Sequence, residues 1–299
     1  MGLPLLAIAI LALVFAAHAF RYRFVRSDGD MLDWLPRVNA ATFYANVAAL
    51  RQSGLLGFLA GSKRQKETEY EEFVRATHFD YAKDLDAVAG AVANGQVFFL
   101  LRGRFDWGRL RGYVLDHRGS CAHKLCSVPT TTPGRWASFF SLQPDVMLLA
   151  LSRDRLAAEK VRSAERQPRG RMPRQAVWVK ISQDVLKNPM GLPEPVRIFA
   201  MSVQWADAVI LSIDRTSGKA DAWFELRLDA ECPSQATAET IRNQLEIQTK
   251  MLKLELLRER QQPNPADLTG LLTAGSFEVN KTHAIGRWPV QRELVESLQ

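Results

Sequence analysis

The first twenty residues constrain this chain more than any other segment. Leu3 to Phe15 is an almost unbroken apolar run, and apolar residues continue to Phe20 apart from His18. About 17 to 18 apolar residues are just long enough to cross the hydrocarbon core of a membrane as a helix. No later segment approaches that length. We therefore expect one transmembrane helix within residues 1–26 and a body that folds in water.

The segment is compatible with two fates. Ala17-His18-Ala19 fits the cleavage pattern of a secretory signal peptide, so a cleaved signal remains an alternative. Three arginines follow at once, at positions 21, 23 and 26, and no basic side chain precedes Leu3, which favours a retained anchor. The arginines favour a cytoplasmic body, whereas the cysteines discussed below favour export. We expect a single-pass protein of the bacterial cell membrane with its large domain on the periplasmic, extracytoplasmic side.

The rest of the chain has the composition of a folded protein. A hydrophobic content of 47% and a charged content of 24% exclude a disordered chain. The net charge of +7 is concentrated between residues 153 and 174, which carry eight basic and three acidic side chains. This segment is either a solvated linker or a contact for anionic lipid. The possible lipid contacts are Arg162, Arg166, Arg169, Arg171 and Arg174.

Hydrophobic periodicity predicts alternating strands and helices. The predicted strands span residues 41–47, 87–93, 97–105, 121–128, 136–142, 146–151, 176–181, 208–213, 222–229, 276–279 and 282–287. The predicted helices span residues 50–59, 67–76, 107–118, 154–164, 233–260 and 290–298. On strand 222–229, Phe224, Leu226 and Leu228 alternate with charged residues, which predicts a half-buried sheet.

The second half of the chain repeats the predicted element order of the first. The segment 97–102 aligns with 222–227, together with the turn before it and the helix after it. This predicts an α+β fold of two similar units, residues 31–165 and 175–299, each an antiparallel sheet with helices mainly on one face. Prolines and a glycine place the boundary within Arg166–Arg174.

Three stretches carry a resemblance to known sequences. They are Met31-Leu32-Asp33-Trp34-Leu35-Pro36, Phe43-Tyr44-Ala45-Asn46-Val47-Ala48-Ala49-Leu50 and Gly103-Arg104-Phe105-Asp106-Trp107. In them the chain resembles uncharacterised bacterial proteins that have an N-terminal membrane anchor and an envelope-facing domain. The resemblance implies a location and no known activity, so it assigns no functional residue.

The densest group of possible metal ligands is His117, Cys121, His123 and Cys126. Zinc accepts these ligand types, but common zinc modules take them from two separated pairs. Cys121 and Cys126 would lie opposite each other on a hairpin, so we expect a disulfide in an exported domain. Free thiols and a zinc site remain alternatives, and we assign no metal ligand. Cys232 is expected to be a packed thiol at the end of a strand.

Candidates for catalysis are few. His78 with Asp80, Asp84 or Asp86 could transfer protons if the residues lined a pocket, but the segment also fits a polar helix-to-strand connection. No G-x-S-x-G, Walker or G-x-G-x-x-G motif is present. We therefore assign no catalytic residue and no cofactor. Six large rings, most of them in strand-like segments, are expected in the core rather than as stacking platforms. These rings are Trp107, Trp136, Trp178, Trp205, Trp223 and Trp288.

Taken together, these features predict a membrane-anchored envelope protein that is a binding or interaction module rather than an enzyme. Its expected partners are the membrane, through the N-terminal segment, and an unknown protein or small molecule, with no nucleic acid. One alternative is an envelope hydrolase that uses His78 or His117 with an aspartate. The other is a domain that binds a lipid surface through the basic segment.

Overall fold

An antiparallel sheet of twelve strands dominates the computed structural model, which describes residues 25, 27–36, 40–53, 56, 68–93, 95–163, 173–187, 201–215 and 222–297. The strands are β1 (Ala40–Ala45), β2 (Leu85–Ala93), β3 (Gln96–Gly103), β4 (Ser120–Ala122), β5 (Leu125–Pro129), β6 (Trp136–Gln143), β7 (Val146–Ser152), β8 (Val177–Ser182), β9 (Ala208–Arg215), β10 (Ala222–Glu231), β11 (Ser276–Asn280) and β12 (His283–Gln291). The helices are α1 (Asp28–Leu32), α2 (Val47–Gln52), α3 (Thr68–Thr77), α4 (Tyr81–Asp84), α5 (Trp107–Asp116), α6 (Ala157–Ser163), α7 (Gln183–Leu186), α8 (Gln235–Arg258), α9 (Leu268–Thr273) and α10 (Arg292–Ser297). The predicted α+β class with antiparallel strands is confirmed.

The strand order joins the two halves of the chain. It runs β11-β12-β10-β9-β8-β1-β2-β3-β7-β6-β5-β4, with β1 and β8 paired at the centre. Outward from that pair, β1-β2-β3-β7-β6 and β8-β9-β10-β12-β11 have the same connectivity, and β5 and β4 extend only the first series. The two sheets expected from the sequence are therefore one sheet, because the backbones of β1 and β8 hydrogen-bond to each other.

Several predicted elements differ at their ends. The predicted strand 121–128 is the hairpin β4–β5, which turns at His123 and Lys124. The last helix begins at Arg292 rather than at Val290, because Val290 pairs with Phe224 as part of β12. The predicted boundary Arg166–Arg174 lies outside the described residues except for its last two positions.

Helices cover both faces of the sheet in the first half. On one face, Leu110 and Val114 of α5 pack over β6 and β7. On the other, residues 25–35 and α6 pack over β2, β3 and β7. This differs from the expectation of helices mainly on one face. Strands β3 and β7 are apolar on both faces, so each face requires a cover.

Two clusters of apolar side chains contain residues from both halves. Tyr44 of β1 stacks on Trp178 of β8, with ring centroids 6.1 Å apart. Leu50 of α2 packs with Phe224 of β10 in a cluster that Val177 also contacts. The halves therefore share cores as well as a sheet.

The segment that follows the predicted anchor is tied to the sheet. Ser27 caps α1 and forms a capping box with Asp30. The Asp28 carboxylate accepts a hydrogen bond from the Tyr44 hydroxyl and lies 2.6 Å from Nη1 of Arg102. Burial, and then the hydrogen bond to Asp28, hold the pKa of Tyr44 well above its usual value. These contacts fix the first described turn of the chain on β1 and β3.

We expect Phe224→Ala to lower the free energy of unfolding by about 3 to 5 kcal/mol, because it leaves a cavity where the two halves meet. Guanidinium denaturation of the purified protein measures the loss. Glu225→Ala is the matched control, since Glu225 lies on the opposite face and forms only a partly exposed ion pair with Arg287. It should cost less than about 1 kcal/mol. Equal losses in the two variants would contradict this assignment of faces.

Candidate binding surface

Helix α8 is apolar on two opposite faces. Its inner face packs against the sheet through buried residues that include Ile241 and Leu245. At 3.6 residues per turn, Ile247, Met251 and Leu254 project from the opposite side. Their exposed fractions are 53%, 58% and 61%. We call these three residues the outer stripe.

An outer stripe of this kind is unusual for a surface helix, whose solvent face normally carries polar residues. Single exposed apolar residues need no explanation, but a contiguous group marks an interaction site. Leu257, one turn beyond Leu254, is 67% exposed and extends the apolar surface. This outer face was not singled out in the sequence analysis. The available signal was the recurrence of apolar residues at positions 247, 251 and 254.

A cavity of about 290 Å³ adjoins the outer stripe. Its described lining consists of neutral side chains, two of them apolar and four polar. They are Met201, Ser202, Gln204, Gln244, Ile247 and Gln248. The Gln244 Oε1 atom is buried and has no hydrogen-bond partner among the described residues. An acceptor that is buried without a partner costs free energy, which a neutral N–H or O–H donor would recover.

Two further apolar side chains lie in the segment that borders this cavity. Met201 lines it and is 55% exposed, while Trp205, one turn further on, is 57% exposed. The expectation that Trp205 fills the core is therefore wrong, because its segment precedes β9 and presents the ring to solvent. Trp178 and Trp288 are buried as expected. The side chain of Trp223 lies outside the described residues.

The predicted His/Asp group does not assemble into a site. His78 ends α3 in the left-handed region, at φ 57°, with an exposed side chain. Asp80 caps α4 and accepts a hydrogen bond from the Tyr70 hydroxyl at 3.0 Å. Burial alone would raise the pKa of Asp80, but hydrogen bonds from Ala82, Tyr70 and Lys83 outweigh it and lower that pKa.

The other two aspartates of this group have structural contacts of their own. Asp84 pairs with Arg104 at 2.8 Å, and Asp86 lies 3.9 Å from Arg51. Within the described part of the chain, no hydrogen bond joins His78 to any of the three aspartates. The arrangement caps and links elements, as expected of a polar helix-to-strand connection.

Cys121 and Cys126 form a disulfide, as predicted. They are directly opposite each other on β4 and β5, with Cα atoms 4.1 Å apart. The His117 ring lies against Tyr113, its Nδ1 2.8 Å from the Tyr113 carbonyl oxygen, and His123 occupies the hairpin turn. Cys232 follows β10 as a buried free thiol, and burial raises its pKa. No group of three or more His, Cys, Asp or Glu side chains in the described residues could hold a metal ion.

The structure contains a His–Asp contact that the sequence analysis did not identify. His283 Nδ1 lies 2.7 Å from Asp229 Oδ1, and Arg227 Nη2 lies 3.2 Å from Asp229 Oδ2. These residues occupy the face of the sheet opposite to α8. The alternation of charged residues along strand 222–229 was the available signal. The contact belongs to a network of ion pairs on that face, which also includes Arg287 with Glu225 and Glu278.

The predicted lipid contacts are described only in part. Arg162 pairs with Glu159, and its guanidinium carbon lies 4.8 Å from the centre of the Phe140 ring. Arg174 is exposed. Arg166, Arg169 and Arg171 lie outside the described residues. Among the residues that the structure describes, no helix is long and apolar enough to span a membrane.

Comparisons with known proteins identify a few distant structures. No known protein family matches the chain, and no curated protein matches it. Crystal form I of TP0453 aligns with a TM-score of 0.49 and 11% identity, covering 91% of this chain and 98% of TP0453. Crystal form III aligns at 0.44 and 11% identity, covering 89% and 97% of the two chains. Crystal form IV aligns at 0.44 and 13% identity, covering 90% and 96%.

Replacing Cys121 and Cys126 together by serine should lower the free energy of unfolding by about 2 kcal/mol, because the bridge closes only a short loop. Denaturation with and without a reductant measures the effect. Reduction should destabilise the wild type by the same amount and leave the double variant unchanged. A wild type that is insensitive to reduction would contradict a contribution of the disulfide to stability.

Proposed function

We propose that this chain is a membrane-anchored envelope protein that acts as a non-enzymatic binding module, and that it meets its partner through the outer surface of α8. The observation that supports this most is the outer stripe, three large apolar side chains more than half exposed on successive turns. The neutral cavity beside the stripe is suited to binding rather than to proton transfer. In the His/Asp group considered for a hydrolase, Asp84 accepts hydrogen bonds from the Asp80 backbone and from Arg104, and no hydrogen bond among the described residues joins His78 to an aspartate.

The position of Val25 supports attachment at the membrane surface. Val25 is only 7% exposed and belongs to the core that includes Met31 and Leu32. The proposed transmembrane helix ends near Phe20, so no more than about 20 Å of extended chain connects it to this core. The body is therefore held close to the bilayer.

The disulfide between Cys121 and Cys126 supports an extracytoplasmic body. Disulfides persist in oxidising compartments and are rare in reducing ones, where thiols are kept free. The proposed orientation places the body on the periplasmic side, against the preference of the arginines that follow the anchor.

We also propose that the body is a duplicated unit. The shared connectivity of β1-β2-β3-β7-β6 and β8-β9-β10-β12-β11 supports this. Helices α5 and α8 follow corresponding strands, β3 and β10, and α6 and α10 follow β7 and β12. Of the two corresponding helices α5 and α8, only the longer α8 carries the outer stripe.

The intact mass of the native full-length protein, recovered from membranes after rapid alkylation of thiols, tests the location. We expect a chain that retains its first residues, with Cys121 and Cys126 unmodified because they are paired. A chain that begins at Phe20 would make the protein a secreted one. A full-length chain with both cysteines alkylated would place the body in the cytoplasm.

Photocrosslinking in native membranes tests the binding surface. A benzophenone amino acid at position 251 should form a discrete adduct, and Ile247→Ser with Leu254→Ser should remove that adduct. Position 115 on α5 is the matched control, because Leu115 is 59% exposed and lies outside the outer stripe. The absence of an adduct from position 251, or equal adducts from both positions, would contradict the proposal.

A further inference from the structure

We infer that the outer stripe of α8 binds the outer stripe of a second copy of this chain, so that two α8 helices pair in parallel. This inference rests on the proposed function, because it names the partner of the same surface. The argument uses the spacing of the stripe, the charges beside it and the unsatisfied amide of Gln244.

The spacing of the stripe is that of a helix-to-helix seam. Ile247, Met251 and Leu254 follow the 4-and-3 spacing of d, a and d positions in a heptad repeat. The buried residues of α8 from Leu245 onward then fall at b and f positions, which face away from the seam. They are Leu245, Thr249 and Leu256, whereas Ile241, which lies before the stripe, falls at an e position. One helix can therefore pack on its own sheet and on a partner helix at the same time.

The charges beside the stripe are complementary to those of a second copy. Lys250 occupies the g position on one side, and Glu255 occupies the e position on the other. In a parallel pair, each g residue meets the e residue that lies five positions further along the partner. Two-fold symmetry then forms the contact between Lys250 and Glu255 twice. Among the described residues, Glu255 pairs with the highly exposed Arg258, at 3.5 Å, which is a weak competitor.

Gln244 occupies the a position one heptad before Met251. Its Oε1 atom is buried and lacks a hydrogen-bond partner among the described residues. In a parallel, in-register pair, a residue at an a position faces the same residue of the second copy. A change of the Gln244 side-chain rotamer in the pair would bring this buried oxygen to the seam, where the amide nitrogen of the other Gln244 can donate to it. A polar a position of this kind specifies the register of the two helices.

The contact is small, because Gln244 and Arg258 limit the apolar seam to three residues in each copy. Interfaces much smaller than about 800 Å² per partner are usually weak or transient. Two copies anchored in the same membrane have a high effective concentration, which allows a weak contact to be occupied. We therefore expect a reversible dimer.

Charge reversal in the full-length protein, solubilised in detergent, tests the inference. Sedimentation equilibrium over a range of concentrations measures the dimer dissociation constant. Lys250→Glu alone and Glu255→Lys alone should each weaken dimerisation by about tenfold or more, because each places like charges together twice. The double variant, and an equimolar mixture of the two single variants, should recover dimerisation to near the wild-type level. Lys253→Glu is the matched control, since position 253 is exposed but lies away from the seam.

Three outcomes of the sedimentation experiment would overturn the inference. They are a wild type that stays monomeric at every concentration, single variants that dimerise like the wild type, and a double variant that does not recover. Circular dichroism of each variant checks that the fold is retained.

The mass of the adduct from position 251 separates this inference from the proposed function. An adduct of twice the chain mass supports self-association. An adduct with a different protein, or vesicle binding by a monomer through the stripe, overturns the inference. The adduct with a different protein leaves the proposed function standing, whereas a monomer with no adduct contradicts both.

Discussion

The pairing of β1 with β8 is the interaction on which the rest of the structure depends. It joins two series of strands of the same connectivity into one sheet and places Tyr44 on Trp178. Without this pair, each half would expose a sheet edge and part of an apolar cluster. The pair also positions the start of the body, because Asp28 is held by Tyr44 of the same strand. The contacts of Asp28 thus hold the start of the described body, which follows the proposed anchor, on the central pair.

The candidate binding surface is a consequence of this sheet. A helix that lies on a sheet can bury only one face, and α8 buries Ala238, Ile241 and Leu245 there. Any apolar residue on the remaining face is then available to a partner. The outer stripe has the spacing and the flanking charges of a helix-pairing seam, and Gln244 of the adjoining cavity has a buried amide oxygen without a hydrogen-bond partner among the described residues. These features support a protein partner, and a second copy satisfies each of them.

Local patterns in the sequence predicted much of the fold. The alternation around Phe224 predicted a half-buried strand, and the position of Cys121 and Cys126 on a short hairpin predicted their disulfide. The disulfide prediction was right because the two cysteines are near neighbours in the chain. The strand prediction was right because it follows from a strict period of two. The prediction for Trp205 was wrong because a large aromatic side chain does not by itself indicate whether the rest of the fold buries its segment. The contact between Asp229 and His283 was missed because β10 and β12 are more than fifty residues apart along the chain.

The sequence by itself determined the elements: an apolar N-terminal segment, amphipathic strands and helices, and a cysteine hairpin. These follow from residue periodicity and turn chemistry, which act over a few residues. Only the tertiary structure decided that the two halves form one sheet, that helices cover both faces of its first half, and that α8 keeps an apolar face in solvent. Each of these depends on which surfaces are buried against each other. Burial between distant segments is a property of the assembled chain, because the same apolar side chain can serve a core or an interface.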